Sequence, residues 1–220
     1  MKKILILGGS GFVSTNLIKY LPENWEIFAT YNSNIIKSEK IQSFKINFLE
    51  TPEKIIPIIQ NIKPDYIIDT VAFPSVDFCE ENHSIADKLH IDATKIISKI
   101  SNKINSKLLF LSTDAVFEGE LNKKYFETNI PKPINYYGFT KLKAEEIILS
   151  TSKNNVVLRT SVIYGTGTQS RFTNWILSYL REKRPVDPFV DQFNSPTLVD
   201  DLSQAIVKIL KNDISGLFHA

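Results

Sequence analysis

Four apolar residues in succession, Ile4-Leu5-Ile6-Leu7, run directly into Gly8-Gly9. That is the pattern of a strand buried on both faces and closed by a turn. Helical spacing follows over Phe12 to Leu21 and stops at Pro22. Glu26 to Tyr31 reads as a second strand and Phe44 to Phe48 as a third. Thr51-Pro52-Glu53 has the order of a helix start, an N-cap followed by proline and an acid. Pro57 is expected to kink or shorten that helix. Tyr66-Ile67-Ile68-Asp69 is a fourth strand, and Ile85 to Ile104 carries helical periodicity. Leu108 to Leu111 is a fifth strand leading into Ser112-Thr113-Asp114. A loop with Pro131 and Pro133 precedes a helix over about Tyr136 to Leu149, and Val156 to Leu158 is a sixth strand. Beyond Ser161 the pattern loosens into a helix (Phe172 to Arg184), an extended run (Val186 to Val190), a helix (Val199 to Leu210) and a strand (Gly216 to His219).

Strands alternating with helices predict an α/β fold, a Rossmann-like doubly wound parallel sheet with its site at the carboxyl ends of the strands. The expected division is a dinucleotide-binding core over 1–160 and a small C-terminal substrate-binding lobe over 161–220. A chain of 220 residues buries about 70% of its unfolded surface without staples. Composition adds exclusions. With 26 basic and 24 acidic residues the formal charge is +2, so no global field calls for nucleic acid. The one cysteine, Cys79, has no disulfide partner, and no Cys/His cluster has metal-ligand spacing. The apolar run after Lys2-Lys3 is too short for a signal peptide, and no stretch is long enough to span a bilayer. A soluble cytoplasmic protein without a membrane partner is expected.

The turn Gly8-Gly9-Ser10-Gly11-Phe12-Val13-Ser14 joins the first strand to the first helix. Glycines there permit a tight turn and close backbone approach to a pyrophosphate, while the N–H groups of the helix start face the anion. Gly8, Ser10, Gly11, Phe12 and Val13 are therefore the candidate dinucleotide contacts, with Ser14 as the small residue that lets the helix pack on the strand. An acid about 20 residues further on would hold the ribose 2′-hydroxyl of NAD. The second strand instead ends Ala29-Thr30-Tyr31-Asn32-Ser33. Lacking the acid, and with Ser33 and Lys37 nearby, the sequence leans toward NADP over NAD.

Tyr137-Gly138-Phe139-Thr140-Lys141 sets a phenol and an ammonium four residues apart on one helical face. Free tyrosine has a pKa of about 10. A neighbouring ammonium and a helix N-terminus are expected to favour the phenolate. Thr113, at the end of the fifth strand, is placed to hydrogen-bond the same substrate oxygen.

Together the glycine loop, Thr113 and the Tyr137/Lys141 pair resemble the extended short-chain dehydrogenase/reductase superfamily, and more narrowly the dTDP-4-dehydrorhamnose reductase family. Further segments carry the resemblance: Val76-Asp77-Phe78-Cys79-Glu80, Leu111 to Gly119, Leu158-Arg159-Thr160-Ser161 and Asp191 to Thr197. It implies Thr113, Tyr137 and Lys141 as catalytic residues and Gly8, Gly11, Ala72, Tyr137 and Lys141 near an NADP or NAD cofactor. The implied reaction is reduction of a 4-keto sugar nucleotide. The alternatives are an epimerase of the same superfamily and a non-catalytic NAD(P)-binding regulatory protein. The chain departs from the pattern at Val162, where the family has tryptophan, at Ala115, where an aromatic is common, at Asn47, where an acid is usual, and at His90, where the superfamily often has asparagine. Relatives generally run several tens of residues beyond the strand that Gly216 to His219 resembles.

All four arginines lie between Arg159 and Arg184, and arginine forks suit the diphosphate of a nucleotide sugar. Arg171 and Trp175 are the candidate substrate contacts. The helical spacing of Phe172, Trp175, Ile176, Tyr179 and Leu180 predicts a core-facing stripe. With few residues left to cover that stripe, self-association into a homo-oligomer through the C-terminal third, or poor sugar-nucleotide binding, is expected.

Overall fold

The computed structural model describes residues 1–73, 75–167, 170–187 and 190–220. Its strands are β1 (Lys3–Leu7), β2 (Glu26–Tyr31), β3 (Ile41–Lys45), β4 (Tyr66–Asp69), β5 (Lys107–Thr113), β6 (Val156–Thr160), β7 (Ile163–Tyr164), β8 (Thr197–Leu198) and β9 (Gly216–His219). The helices are α1 (Phe12–Leu17), α2 (Ile55–Ile62), α3 (Val76–Glu81), α4 (His83–Asp87), α5 (Ala93–Lys103), α6 (Tyr136–Thr151), α7 (Arg171–Arg181) and α8 (Val199–Lys211). Seven strands form one parallel sheet in the order β3-β2-β1-β4-β5-β6-β9, and β7 pairs with β8 apart from it. The order reverses between β1 and β4, which opens a crevice at their carboxyl ends.

Strand periodicity assigns the two faces. Ile4 and Ile6 of β1 pack with Val13 and Leu17 of α1 and with Leu202 and Ile206 of α8. Leu5 and Leu7 point the other way, toward Ile55 and Ile59 of α2, Ile97 of α5 and Ile148 of α6. Both faces of β1 are buried, as its continuous apolar run requires. Because α8 and β9 belong to this same sheet and core, residue 160 does not separate two cores. What lies outside the main layers after residue 160 is β7, α7 and β8.

Several expected boundaries move. The third strand lies at Ile41–Lys45 rather than Phe44 to Phe48. Its pairing with Ile27 to Tyr31 of β2 sets the register, and local pattern carries no information about that partner. The first helix tightens into a 3-10 turn over Ile18–Tyr20. Thr51-Pro52-Glu53 opens a 3-10 turn over Pro52–Lys54, and Pro57 falls in the first turn of α2, which follows it and where a missing N–H is tolerated. The single helix expected over Ile85 to Ile104 is divided by a π-helical turn at Lys88–Asp92. Helix α3, capped by Ser75 Oγ accepting from Phe78 N at 3.2 Å, was not foreseen. Within the expected extended run at Val186 to Val190, residues 188 and 189 lie outside the described set, and the others are in no strand. The stripe on α7 is not core-facing, since no residue of that helix is buried. Its rings contact one another instead, with Trp175 5.7 Å from Tyr179 and 6.4 Å from Phe172.

One glycine governs how α6 meets the sheet. A Cβ on Gly138 would sit 2.1 Å from the Ala115 carbonyl oxygen, which is backbone and cannot swing aside. The start of α6 therefore rests directly on the turn after β5. Gly138→Ala should destabilise the protein by about 1–3 kcal/mol, the usual cost of overpacking, read as a lower urea midpoint. An unchanged midpoint would mean that this contact gives way freely.

Candidate active site

Gly8 ends β1 with φ of +77°, a left-handed conformation that L side chains rarely adopt. The loop is pinned by Gly9 N donating to Thr30 O at 2.7 Å and Gly11 N to Gly8 O at 2.9 Å. Ser14 is fully buried, and its hydroxyl lies 2.9 Å from that of Thr70. Thr70 donates in turn to Leu7 O at 2.8 Å, so Ser14 is the donor to Thr70. A polar pair thus does the close packing expected of a small residue, tying α1 to the end of β4.

A cleft of about 690 Å3 opens above the switch point. Ser10, Gly11, Phe12, Ala72, Thr113, Tyr137, Lys141 and Arg171 line it, together with Asn34, Leu111, Ser112 and Ser161. Gly8, Val13 and Trp175 are not among the lining residues, and Val13 packs instead into the core beneath the sheet. Asn34 was missed, and nothing in its irregular loop marked it.

Helix α6 brings Tyr137 and Lys141 to the cleft. Asn135 Oδ1 accepts from Gly138 N at 2.7 Å, an N-cap. Glu80 Oε2 accepts from Tyr136 N at 2.8 Å, and the Tyr136 hydroxyl donates to Asp87 at 2.9 Å. These contacts hold the first turn, where Tyr137 sits half-buried. One turn deeper Lys141 is only 2% exposed. Its Nζ donates to Leu111 O at 2.7 Å and lies 3.8 Å above the Phe110 ring. Asp69 is the register partner of Phe110 across β4 and β5, so it shares the face that Lys141 covers. Another turn along, Glu145 takes a fork from Arg159, with Nε at 2.9 Å and Nη2 at 2.6 Å, and accepts from Ser112 Oγ at 2.5 Å.

Burial, more than pairing, sets the charges. The Lys141 ammonium is pushed down to about 8 by loss of water, against the pull of Asp69 and then Glu145. Asp69 is pushed up to about 6 by burial, held back by the Val71 N–H and by Lys141. Both groups are therefore charged only between about pH 6 and 8. Tyr137 is pushed up to about 12, first by burial and then by Cys79, while the Thr113 hydroxyl pulls the other way as a hydrogen-bond donor. The expected coupling of ammonium to phenol is not what sets Tyr137. Lys141 is turned inward to the Leu111 carbonyl, and Tyr137 keeps its proton at neutral pH.

The model of the RmlD substrate binding domain matches residues 1–220. The chain belongs to that family. It is 29% identical over 218 residues to the dTDP-4-dehydrorhamnose reductase of Aggregatibacter actinomycetemcomitans, covering 98% of this chain and 70% of that one. It is 31% identical over 173 residues to the Escherichia coli enzyme of the same name, covering 76% of this chain and 58% of that one. The structure superimposes with a TM-score of 0.87 on the Bacillus anthracis dTDP-4-dehydrorhamnose reductase in complex with NADP, at 26% identity, over 100% of this chain and 74% of that one. The chain thus spans between 58% and 74% of these three relatives.

In this RmlD-family cleft two buried acids escaped the sequence reading, although each left a signal. Asp69 ends an otherwise apolar strand. Glu145 follows Lys141 at helical i,i+4 spacing. Asp69→Asn keeps an acceptor for Val71 N but removes the larger of the two charges that support the ammonium. The Lys141 titration should then move below pH 8, as read by NMR of labelled lysine side chains. An unchanged or raised titration would show that Asp69 does not act on it.

Proposed function

We propose that this cleft binds an NAD(P) dinucleotide and reduces the 4-keto group of a sugar nucleotide. The observation that carries the reading is the convergence of the glycine loop, Ala72, Thr113, Tyr137 and Lys141 on one cleft. The names and the bound NADP of the family relatives support it. The site also fits a dinucleotide on its own terms. Above Gly11 the position of a Cβ is open except for Gly8 O at 3.1 Å, so backbone is left bare where a phosphate would approach. Ser161 lines the cleft, and among the described residues its buried hydroxyl has no hydrogen-bond partner.

When bound, a nicotinamide supplies the hydride that reduces a ketone carbon. The work of this chain is to bind, orient and protonate. Tyr137, which holds its proton at neutral pH, gives it to the ketone oxygen as that oxygen gains charge, so a C–O–H forms and a phenolate remains. Thr113 accepts from Ala115 N at 3.1 Å, which fixes its hydroxyl beside Tyr137. Lys141 lines the floor of the cleft, where its positive charge suits ribose hydroxyls, and the Leu111 carbonyl holds it there. Arg171, at the rim, suits the diphosphate of the sugar nucleotide. Among the described residues no helix is long and apolar enough to cross a membrane.

Mass spectrometry of products from a panel of 4-keto sugar nucleotides, with NADPH and NADH in parallel, tests the reading. A product heavier by two hydrogens is expected, whereas cofactor binding without any product would contradict reduction. Tyr137→Phe should lower turnover by about 100-fold or more, the range for losing a positioned proton donor, and leave cofactor affinity within a few-fold. Near-normal turnover in that variant would remove Tyr137 from the role. NADPH should serve at least as well as NADH because no acid follows Tyr31 to claim the 2′-hydroxyl. A strong NADH preference would overturn that choice.

A further inference from the structure

His90 belongs to no step of the proposed reaction, yet it is only 1% exposed and touches both walls of the site. It lies in the π-helical turn Lys88–Asp92, a feature often found at functional sites. Phe73 N donates to its Nε2 at 3.0 Å, and its Nδ1 lies 2.8 Å from Thr140 Oγ1. Thr140 Oγ1 donates to Tyr137 O at 2.9 Å. Its ring stands edge-on to Tyr137 at 5.6 Å and to Phe73 at 5.7 Å.

The proton positions in this chain follow from its ends. The Phe73 amide can only donate, so Nε2 is bare. The Thr140 proton is committed to the Tyr137 carbonyl, so Nδ1 must carry the imidazole proton and donate it to Thr140. An imidazolium would face the Phe73 N–H with another N–H. Burial and the Lys141 charge both press in the same direction, lowering His90 to about 3.

We propose that His90 is a positioning residue, a neutral Nδ1-protonated imidazole that ties the backbone of Phe73, beside the cofactor-side Ala72, to the backbone of Tyr137. It holds the distance between the nucleotide wall and the proton donor without exchanging a proton itself. The consequence for turnover rests on the reductase reading. The tautomer does not.

Two measurements test it. Imidazole 15N NMR of the cofactor-free protein should show His90 protonated on Nδ1 and silent between about pH 5 and 8, where an ordinary histidine titrates. A proton on Nε2, or a titration in that range, overturns the proposal whether or not the protein is a reductase. The second measurement divides the two bonds. In His90→Asn the amide takes the place of Nδ1 and keeps the Thr140 link but leaves Phe73 N unsatisfied. NADPH affinity should fall about tenfold, the scale for one buried donor left without a partner, with kcat within a few-fold. In His90→Gln the longer side chain reaches Phe73 N, so affinity should hold while kcat falls. Affinity and kcat falling together in both variants, in step with the unfolding midpoint, would reduce His90 to core packing and overturn the proposal. So would no change in either. If no sugar nucleotide is turned over by the wild type, the reductase reading fails, while the tautomer and the affinity arm still decide on His90.

Discussion

Helix α6 carries Lys141 and Glu145 into the interior on successive turns, and the sheet beneath must satisfy both. Burying an unpaired charge is far too costly, and removing one partner of a buried pair typically costs about 3–5 kcal/mol. Arg159 and Ser112 answer Glu145, while the Leu111 carbonyl and the Asp69 charge answer Lys141. Sliding α6 by one residue would separate every one of these partners. The docking of α6 therefore has one register, and that register leaves Tyr137 at the mouth of the cleft beside Thr113.

The rest of the site is built around that constraint. Gly138 lets the first turn of α6 approach the Ala115 carbonyl, and Asn135 caps it. Burial that keeps Tyr137 protonated also lowers the Lys141 ammonium, so loss of water raises the one group and limits the alkaline range of the other. Such conflicts with the ordinary preference for apolar interiors gather where chemistry is done.

Much of this was legible in the chain. The apolar runs of β1, β4, β5 and β6 announced a parallel sheet, and Gly8 to Ser14 and Tyr137 to Lys141 named residues that meet in one cleft. What was hidden depended on partners distant in sequence. The register of β3 is set by β2, and the direction of Lys141 by a carbonyl thirty residues away. The π-helical turn at His90 is invisible in a pattern that reads as one continuous helix, and the contacts of His90 to Phe73 and Thr140 join residues distant in sequence. The α7 stripe misled for the opposite reason. Its periodicity is genuine, but periodicity shows only that a face is apolar and not what covers it.

The central claim is that the dinucleotide binds at the carboxyl ends of β1, β4 and β5, and hydrogen exchange with and without NADP+ tests it most directly. Protection is expected at the amides of 8–13 and 70–73 and at the start of α6. Protection confined to the opposite end of the sheet, at the polar hollow of Lys2, Tyr66 and Lys107, would contradict the account, as would no protection at saturating nucleotide.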